Sequence, residues 1–427
     1  MRIFEQLESQ VRSYVRHFPT VFNKAKGSYL YDEQDKEFID FFAGAGTINY
    51  GHNNPRVQDA LIEYIKNDGI VHGLDKATSA KKKFLETFYY TILEPRHMEH
   101  KIQFSGPTGT NAVETALKLA RMVKGRSNII CFTNAFHGLT MGSMAITGNS
   151  FYRDEAFINR ANVAFMPYDG YFGDELDTSV YLRKFLEDKS SGVDLPAAII
   201  LETVQAEGGV NVASDQWLKN IEQACRDFDI LLIVDDIQVG NGRTGTFFSF
   251  EPSGINPDII TLSKSIGGGL PLSLVLLKPE LDQWRPGEHT GTFRGNNLAF
   301  VASTELFSYW ENDSLTEAVK YKENVLRKGL EEIAQKYPSI EARIRGRGLI
   351  YGLNIPLQGF CHEVSSEAFE QGLIIELAGA RDDVLKFLPP LVIEEELLQE
   401  GLRIIDNAIG VVLDKRTSII RGETACL

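Results

Sequence analysis

A chain of 427 residues, 43% hydrophobic and 24% charged, is long enough to bury a sizeable core and to form two or three domains. Its formal net charge of −14 repels phosphate backbones and anionic lipid surfaces, which argues against nucleic-acid and membrane partners and makes any basic pocket a local feature. Cys131, Cys225, Cys361 and Cys426 form no CxxC pair, so neither a disulfide framework nor a metal site is expected, and a reducing cytoplasm suits the chain. The N-terminus, MRIFEQLESQ, lacks the apolar stretch of a secretory signal, and no later segment is apolar enough to span a membrane.

In chain order, YLYDEQDKEFIDFFAG (Tyr29 to Gly44) predicts a hairpin with its turn at Gln34 and Asp35, followed by a Gly-rich loop to Gly51. From about residue 55 to 280, helical periodicity alternates with short β-branched runs, the pattern of βαβ units around a mostly parallel sheet. Strands are predicted at Asn128 to Thr133, Asn162 to Met166, Ala197 to Glu202, Ile230 to Asp236, Ile259 to Lys264 and Leu272 to Leu277. Their near-continuous apolar character implies burial on both faces. Amphipathic helices such as Leu315 to Tyr337, the segment RIRGRGLIYGLNI and a final helix from Glu394 to Leu413 predict a smaller α+β unit. The expected fold class is α/β, divided into an N-terminal segment (1–55) that joins the small domain, a large domain (56–305) and a C-terminal small domain (306–427).

Four short motifs carry candidate chemistry. In GPTGTNAVETALKLARMV, a Gly/Thr turn opens a helix at Gly109 and Thr110, where free N–H groups and the helix dipole can hold a phosphate; an ordinary helix cap explains the same residues. The Walker pattern is absent. Phe136 and His137 follow a strand and can stack on a flat heterocycle or pack in the core. ILLIVDDIQVGNGRTG places Asp235 and Asp236 at a strand's C-terminal end, where a carboxylate can meet a pyridinium nitrogen, cap a helix or bind a metal. Lys264 leaves the apolar run IITLS for a Gly-rich loop; burial there lowers an amine's pKa and favours a Schiff-base nucleophile, whereas exposure leaves a surface charge.

Seven ordered blocks extend these motifs: Tyr29 to Pro55, Ser105 to Arg121, Ala135 to Gly138, Glu202 to Gly209, Val234 to Gly245, Leu262 to Pro271 and His289 to Asn296. Through them the sequence resembles the class III, or ω-type, aminotransferases of the pyridoxal-5′-phosphate (PLP) fold type I group across nearly its whole length. The resemblance implies that Lys264 binds PLP and shuttles a proton, and that Asp235 pairs with the ring nitrogen. Gln238 would lie by the ring hydroxyl, Gly109 and Thr110 would bind the phosphate, and Phe136 would stack on the ring, with His137 beside it. Thr292 would reach the phosphate of a neighbouring subunit, so a homodimer or higher homo-oligomer is implied. Glu207 matches a position that gates a substrate-binding arginine. Two departures stand out. Asp236 replaces the usual glutamate, and Lys386, in LKFLPPLVI, replaces the arginine that grips an oxo-acid carboxylate; lysine lacks the bidentate fork, which makes Arg294 a candidate cation.

A narrower set, including RSYVRHFPTVFNKAKGSYLYDE, HGLDKATSAKKKFLETF and WRPGEHTGTFRGNN, resembles the diaminobutyrate:2-oxoglutarate aminotransferases of ectoine biosynthesis. That likeness implies ping-pong transfer of the amino group of L-glutamate to L-aspartate 4-semialdehyde. Other ω-amino acid transaminations, of the 4-aminobutyrate or ornithine type, and PLP-dependent decarboxylase or aminomutase chemistry are the alternatives. The lack of GxGxxG after an early strand argues against a nicotinamide enzyme.

Overall fold

The computed structural model describes residues 1–153, 161–173 and 175–424; Cys426 lies outside them. Every strand predicted between Asn128 and Leu277 forms, trimmed by one or two residues at its ends. They join one seven-stranded sheet in the order Lys101–Phe104, Leu274–Leu277, Ile259–Leu262, Leu231–Asp235, Ala198–Leu201, Ile129–Phe132, Val163–Met166. Only Leu274–Leu277 runs antiparallel to its neighbours. The central strands are buried at every position, as apolar runs covered on both faces require. The edge strand Lys101–Phe104 was not predicted: KIQF is short, polar at alternate positions and half exposed.

The helix Gly109–Lys124 begins with a capping box between Thr108 and Asn111 and ends at Gly125 in the left-handed conformation. Its predicted face, Val113, Ala116, Leu117 and Ala120, packs on Ile129, Cys131, Ile200, Ile233 and Ile259 of the sheet. That docking fixes the helix N-terminus over the C-terminal ends of the strands. The four adjacent strands from Ile259–Leu262 to Ile129–Phe132 end beside Lys264, Asp235, Glu202 and Phe136, so one crevice collects all four.

The N-terminal hairpin pairs Tyr29–Asp32 with Glu37–Asp40, and Asp32 Oδ1 accepts from the Gln34 and Lys36 amides at 2.9 and 3.0 Å, which closes the predicted turn. Glu37–Asp40 also pairs in parallel with Leu373–Ile374, tying the start of the chain to its C-terminal third. The loop after the hairpin contains a left-handed turn at Ala43, Gly44 and Ala45. Further on, Arg343–Arg347, Ile350–Asn354, Val384–Phe387 and Glu376–Ala378 form an antiparallel sheet that carries Lys386. The final helix, Glu395–Thr424, runs well past the predicted end at Leu413, since no Pro follows and Gly410 does not end it.

Candidate active site

A cavity of about 160 Å³ lies at the strand ends. Its wall includes Gly109, Thr110, Phe136, His137, Glu207, Asp235, Gln238 and Lys264, eight residues singled out from sequence. Lys264 is reached through a backbone turn at φ +53°, a conformation that side-chain-bearing residues adopt at a cost, and its Nζ donates to the Ala45 carbonyl at 2.8 Å. Burial lowers its ammonium pKa below the ordinary lysine value against the opposing pull of Glu207, favouring a neutral amine.

Asp235 is 5% exposed and fully committed: Oδ2 accepts from His137 Nδ1 at 2.7 Å, while Oδ1 accepts from Thr261 Oγ1 and the Ile237 amide, both at 3.2 Å. A carboxylate with no proton of its own makes His137 Nδ1 the donor. His137 therefore orients Asp235, and its buried Nε2 has no hydrogen-bond partner. Phe136 and His137 both line the cavity, Phe136 with Tyr152 edge-on at 5.6 Å and His137 with Nδ1 on the Asp235 carboxylate at 2.7 Å. Asp236 points elsewhere, accepting from the Ser249 amide, and burial pushes its carboxyl up to about 7.

At the opposite end, Thr110 Oγ1 lies 2.6 Å from Thr140 Oγ1, which itself donates to Glu114 at 2.6 Å. Helix-start N–H groups at Gly109 and Thr110 add an electropositive edge. The floor is formed by Gln238, whose Nε2 donates to Ala45 O at 2.9 Å and to Glu207 Oε1 at 3.0 Å, leaving its buried Oε1 without a hydrogen-bond partner.

Glu202, also on the wall, was missed as a site residue although it ended a predicted strand; a carboxyl terminating an apolar run was the available signal. Its Oε2 accepts from the Phe136 amide at 3.1 Å, and burial, then Asp235, raises its pKa well above the usual glutamate range. Tyr14 and Glu376 were missed as well. Lys386 is fully buried between Glu207 Oε1 at 2.7 Å and Glu376 Oε2 at 2.9 Å, and Tyr14 donates to Glu376 Oε1 at 2.7 Å. Thr292 and Arg294 do not reach the cavity of their own chain. Thr292 is exposed, and Arg294 pairs with Asp75 at 2.5 Å in a separate cleft beside Gly73 and Leu74.

This cluster gives a testable pH dependence. Burial alone would raise the Glu207 carboxyl, but Lys386 and Lys264 outweigh it and hold it at about 2, against an ordinary 4.5. A depressed carboxyl contributes stability above pH 4.5 that is lost as pH falls toward 2. Lys386→Ala leaves two carboxyls buried without their cation and is expected to cost about 3–5 kcal/mol at neutral pH. In melting curves taken from neutral pH downward, the wild-type advantage should narrow below pH 4.5; an advantage independent of pH would contradict this reading.

The sequence matches the family model described as Aminotransferase class-III over residues 11–409. It is 73% identical over 416 residues to a diaminobutyrate–2-oxoglutarate transaminase of Wolinella succinogenes, covering 97% of both chains. It is 57% identical over 418 residues to the enzyme of that name from Bordetella parapertussis, covering 97% of this chain and 96% of the relative. Among solved structures, a Bacillus anthracis aminotransferase superposes with TM-score 0.85 at 25% identity, covering 96% of this chain and 97% of the other. The ornithine aminotransferase of Toxoplasma gondii superposes with TM-score 0.83 at 26% identity, covering 97% and 95% respectively. A family match across nearly the whole chain, on the fold and crevice described above, places this chain in the class III aminotransferases.

Proposed function

We propose that this chain uses PLP to move an amino group between L-glutamate and L-aspartate 4-semialdehyde, giving L-2,4-diaminobutyrate and 2-oxoglutarate, with ectoine synthesis as its setting. The names of the relatives at 73% and 57% identity support the substrate pair. The observation that carries the reading is a buried amine, Lys264, sharing one cavity with a buried, doubly anchored carboxylate, Asp235.

The residues present fit PLP. A helix N-terminus with Gly109 and Thr110 suits the phosphate, Asp235 suits the ring nitrogen, and the unpartnered Gln238 Oε1 is available at the floor. When bound, PLP supplies the electron sink that lets the amino-bearing carbon lose a proton. Lys264 Nζ, its ammonium pKa lowered by burial, would move that proton between the substrate carbon and the cofactor's C4′. Asp235 would hold a proton on the ring nitrogen, with His137 keeping Asp235 in place and Phe136 lining the cavity beside them. Glu207 turning away from Lys386 is the movement that would admit the carboxylate of the second substrate.

Thr292, exposed on its own chain, is assigned to the phosphate of a partner subunit, and Arg294 to the same interface. The three described cysteines are buried and free, which supports a reducing compartment, and no described helix is long and apolar enough to cross a membrane. Pairing of Glu37–Asp40 with Leu373–Ile374 supports assigning residues 1–55 to the small domain of 306–427, around a large domain of 56–305.

Glutamate formation from L-2,4-diaminobutyrate and 2-oxoglutarate is the expected activity. Turnover of ornithine or 4-aminobutyrate in its place would reassign the substrate, and release of CO₂ without an acceptor would reassign the reaction. Gly138 tests the phosphate end separately. It sits at φ +118°, and a Cβ there would fall 2.5 Å from Thr110 Oγ1 and 3.1 Å from Thr110 Cα. Gly138→Ala is expected to weaken PLP binding by about tenfold in titration of the apoprotein, since the strain lands on the residue that holds the phosphate; an unchanged affinity would remove Thr110 from that role.

A further inference from the structure

A second, larger cavity of about 550 Å³ opens outward from the first, and the two share Phe136 and Glu207 in their walls. Tyr14 and His17 from the N-terminal segment close one side, and Tyr152, Glu376 and Asp382 line the rest. This is where the end of a substrate remote from its reacting carbon must lie. The charge of this chamber is unusual for an enzyme that also handles dicarboxylates. Behind its wall, Lys386 is fully buried and faces two carboxyls that line the chamber, Glu207 at 2.7 Å and Glu376 at 2.9 Å. A single ammonium so matched offers little net positive charge to an incoming carboxylate.

The other groups facing the chamber agree. Asp382 adds a third carboxylate at the rim. Arg153 also lines the chamber; it donates to the Gly148 carbonyl at 2.7 Å and lies over the Phe165 ring. His17 is held toward its neutral form by burial and by His362, against Asp382. Burial, reinforced by Glu207 and Glu376, keeps the Tyr14 and Tyr152 hydroxyls protonated. Carboxylates beside tyrosine rings form a receptor for an organic ammonium ion.

We propose that Glu376 is a specificity-determining residue, over-neutralising Lys386 so that the outer chamber selects a substrate carrying a second, non-reacting ammonium group. Tyr14 fixes the Glu376 carboxylate through the 2.7 Å hydrogen bond. Glu207 is free to move with each half-reaction, whereas Glu376, on a strand paired with that of Lys386, stays in place. The inference rests on the proposed diaminobutyrate chemistry, in which the γ-amine reacts and the α-ammonium remains outside.

The test is single-turnover kinetics of the holoenzyme with L-2,4-diaminobutyrate and, separately, with L-glutamate, for wild type, Glu376→Gln and Glu376→Asp. Glu376→Gln should lower kcat/KM for diaminobutyrate by about tenfold, chiefly through KM, and leave that for glutamate unchanged or raised, since Lys386 then has one carboxylate partner fewer. Glu376→Asp, which keeps the charge, should recover part of the loss. If Glu376→Gln does not fold, Asp382→Asn at the exposed rim should give a smaller loss, about threefold, again confined to diaminobutyrate. Equal losses for both substrates, or no loss for diaminobutyrate, overturn the proposal while leaving the transaminase reading intact. A wild-type enzyme inert to diaminobutyrate overturns the substrate assignment together with it.

Discussion

Lys264→Ala is expected to abolish turnover, lowering kcat by roughly 10⁴-fold or more, while leaving the melting temperature near that of wild type. The argument is local. Lys264 Nζ has one protein hydrogen bond, to the Ala45 carbonyl, and no ion pair among the described residues, and Glu207, which both lysines hold low, keeps Lys386 at 2.7 Å when Lys264 is lost. On the proposed function, the removed amine is the covalent anchor for PLP and the group that carries the proton. The left-handed φ of +53° costs alanine about what it costs lysine, since both carry the Cβ responsible, so the backbone adds nothing to the change. Measuring glutamate formation alongside thermal denaturation separates the two effects. A variant retaining a tenth of the activity would mean that another base moves the proton.

The second large effect is expected at Asp235. Asp235→Asn keeps one acceptor oxygen, for His137 Nδ1, and turns an NH2 toward Thr261 Oγ1, which can accept, and the Ile237 amide, which cannot, so the fold and the cavity should persist at a cost of about 1–3 kcal/mol. It removes the negative charge proposed to hold a proton on the ring nitrogen, in a site of low dielectric where such a charge would have its greatest influence on a developing carbanion. We expect kcat to fall by about 10²–10³-fold with the visible cofactor band retained, the opposite of the Lys264→Ala pattern. His137→Phe should give a milder loss, about tenfold, because it frees Asp235 to reorient without discharging it. Loss of the band in Asp235→Asn would show that the carboxylate acts in binding rather than in chemistry.

Much of this site was legible because its residues end strands. Buried parallel strands announce themselves as apolar runs, and the polar residue that follows each run stands at the ligand-binding edge of the sheet; Asp235 and Lys264 were found that way. The hairpin at Tyr29 was equally plain from its turn chemistry, whereas the strand Lys101–Phe104 depends on pairing with Leu274–Leu277 and has no local pattern to reveal it. Tyr14 and Glu376 were invisible for a different reason. Separated by 362 positions, they meet only when the N-terminal segment packs on the C-terminal sheet. Lys386 was noticed as a departure from an arginine, but its two carboxyl partners, Glu207 and Glu376, could not be read from sequence because they meet it only in the fold. For Arg294, residue type suggested a cation in the pocket, while the structure pairs it with Asp75 outside the cavity of its own chain. No linear pattern records which subunit's site a surface loop will face.

The most direct test of PLP-dependent transamination at Lys264 is the visible spectrum of the purified protein followed through successive additions of substrate. The account predicts a borohydride-reducible band that bleaches when L-2,4-diaminobutyrate is added alone and returns on addition of 2-oxoglutarate, with no such band in Lys264→Ala. A spectrum without the band after PLP is supplied, or a band that neither substrate alters, would contradict it.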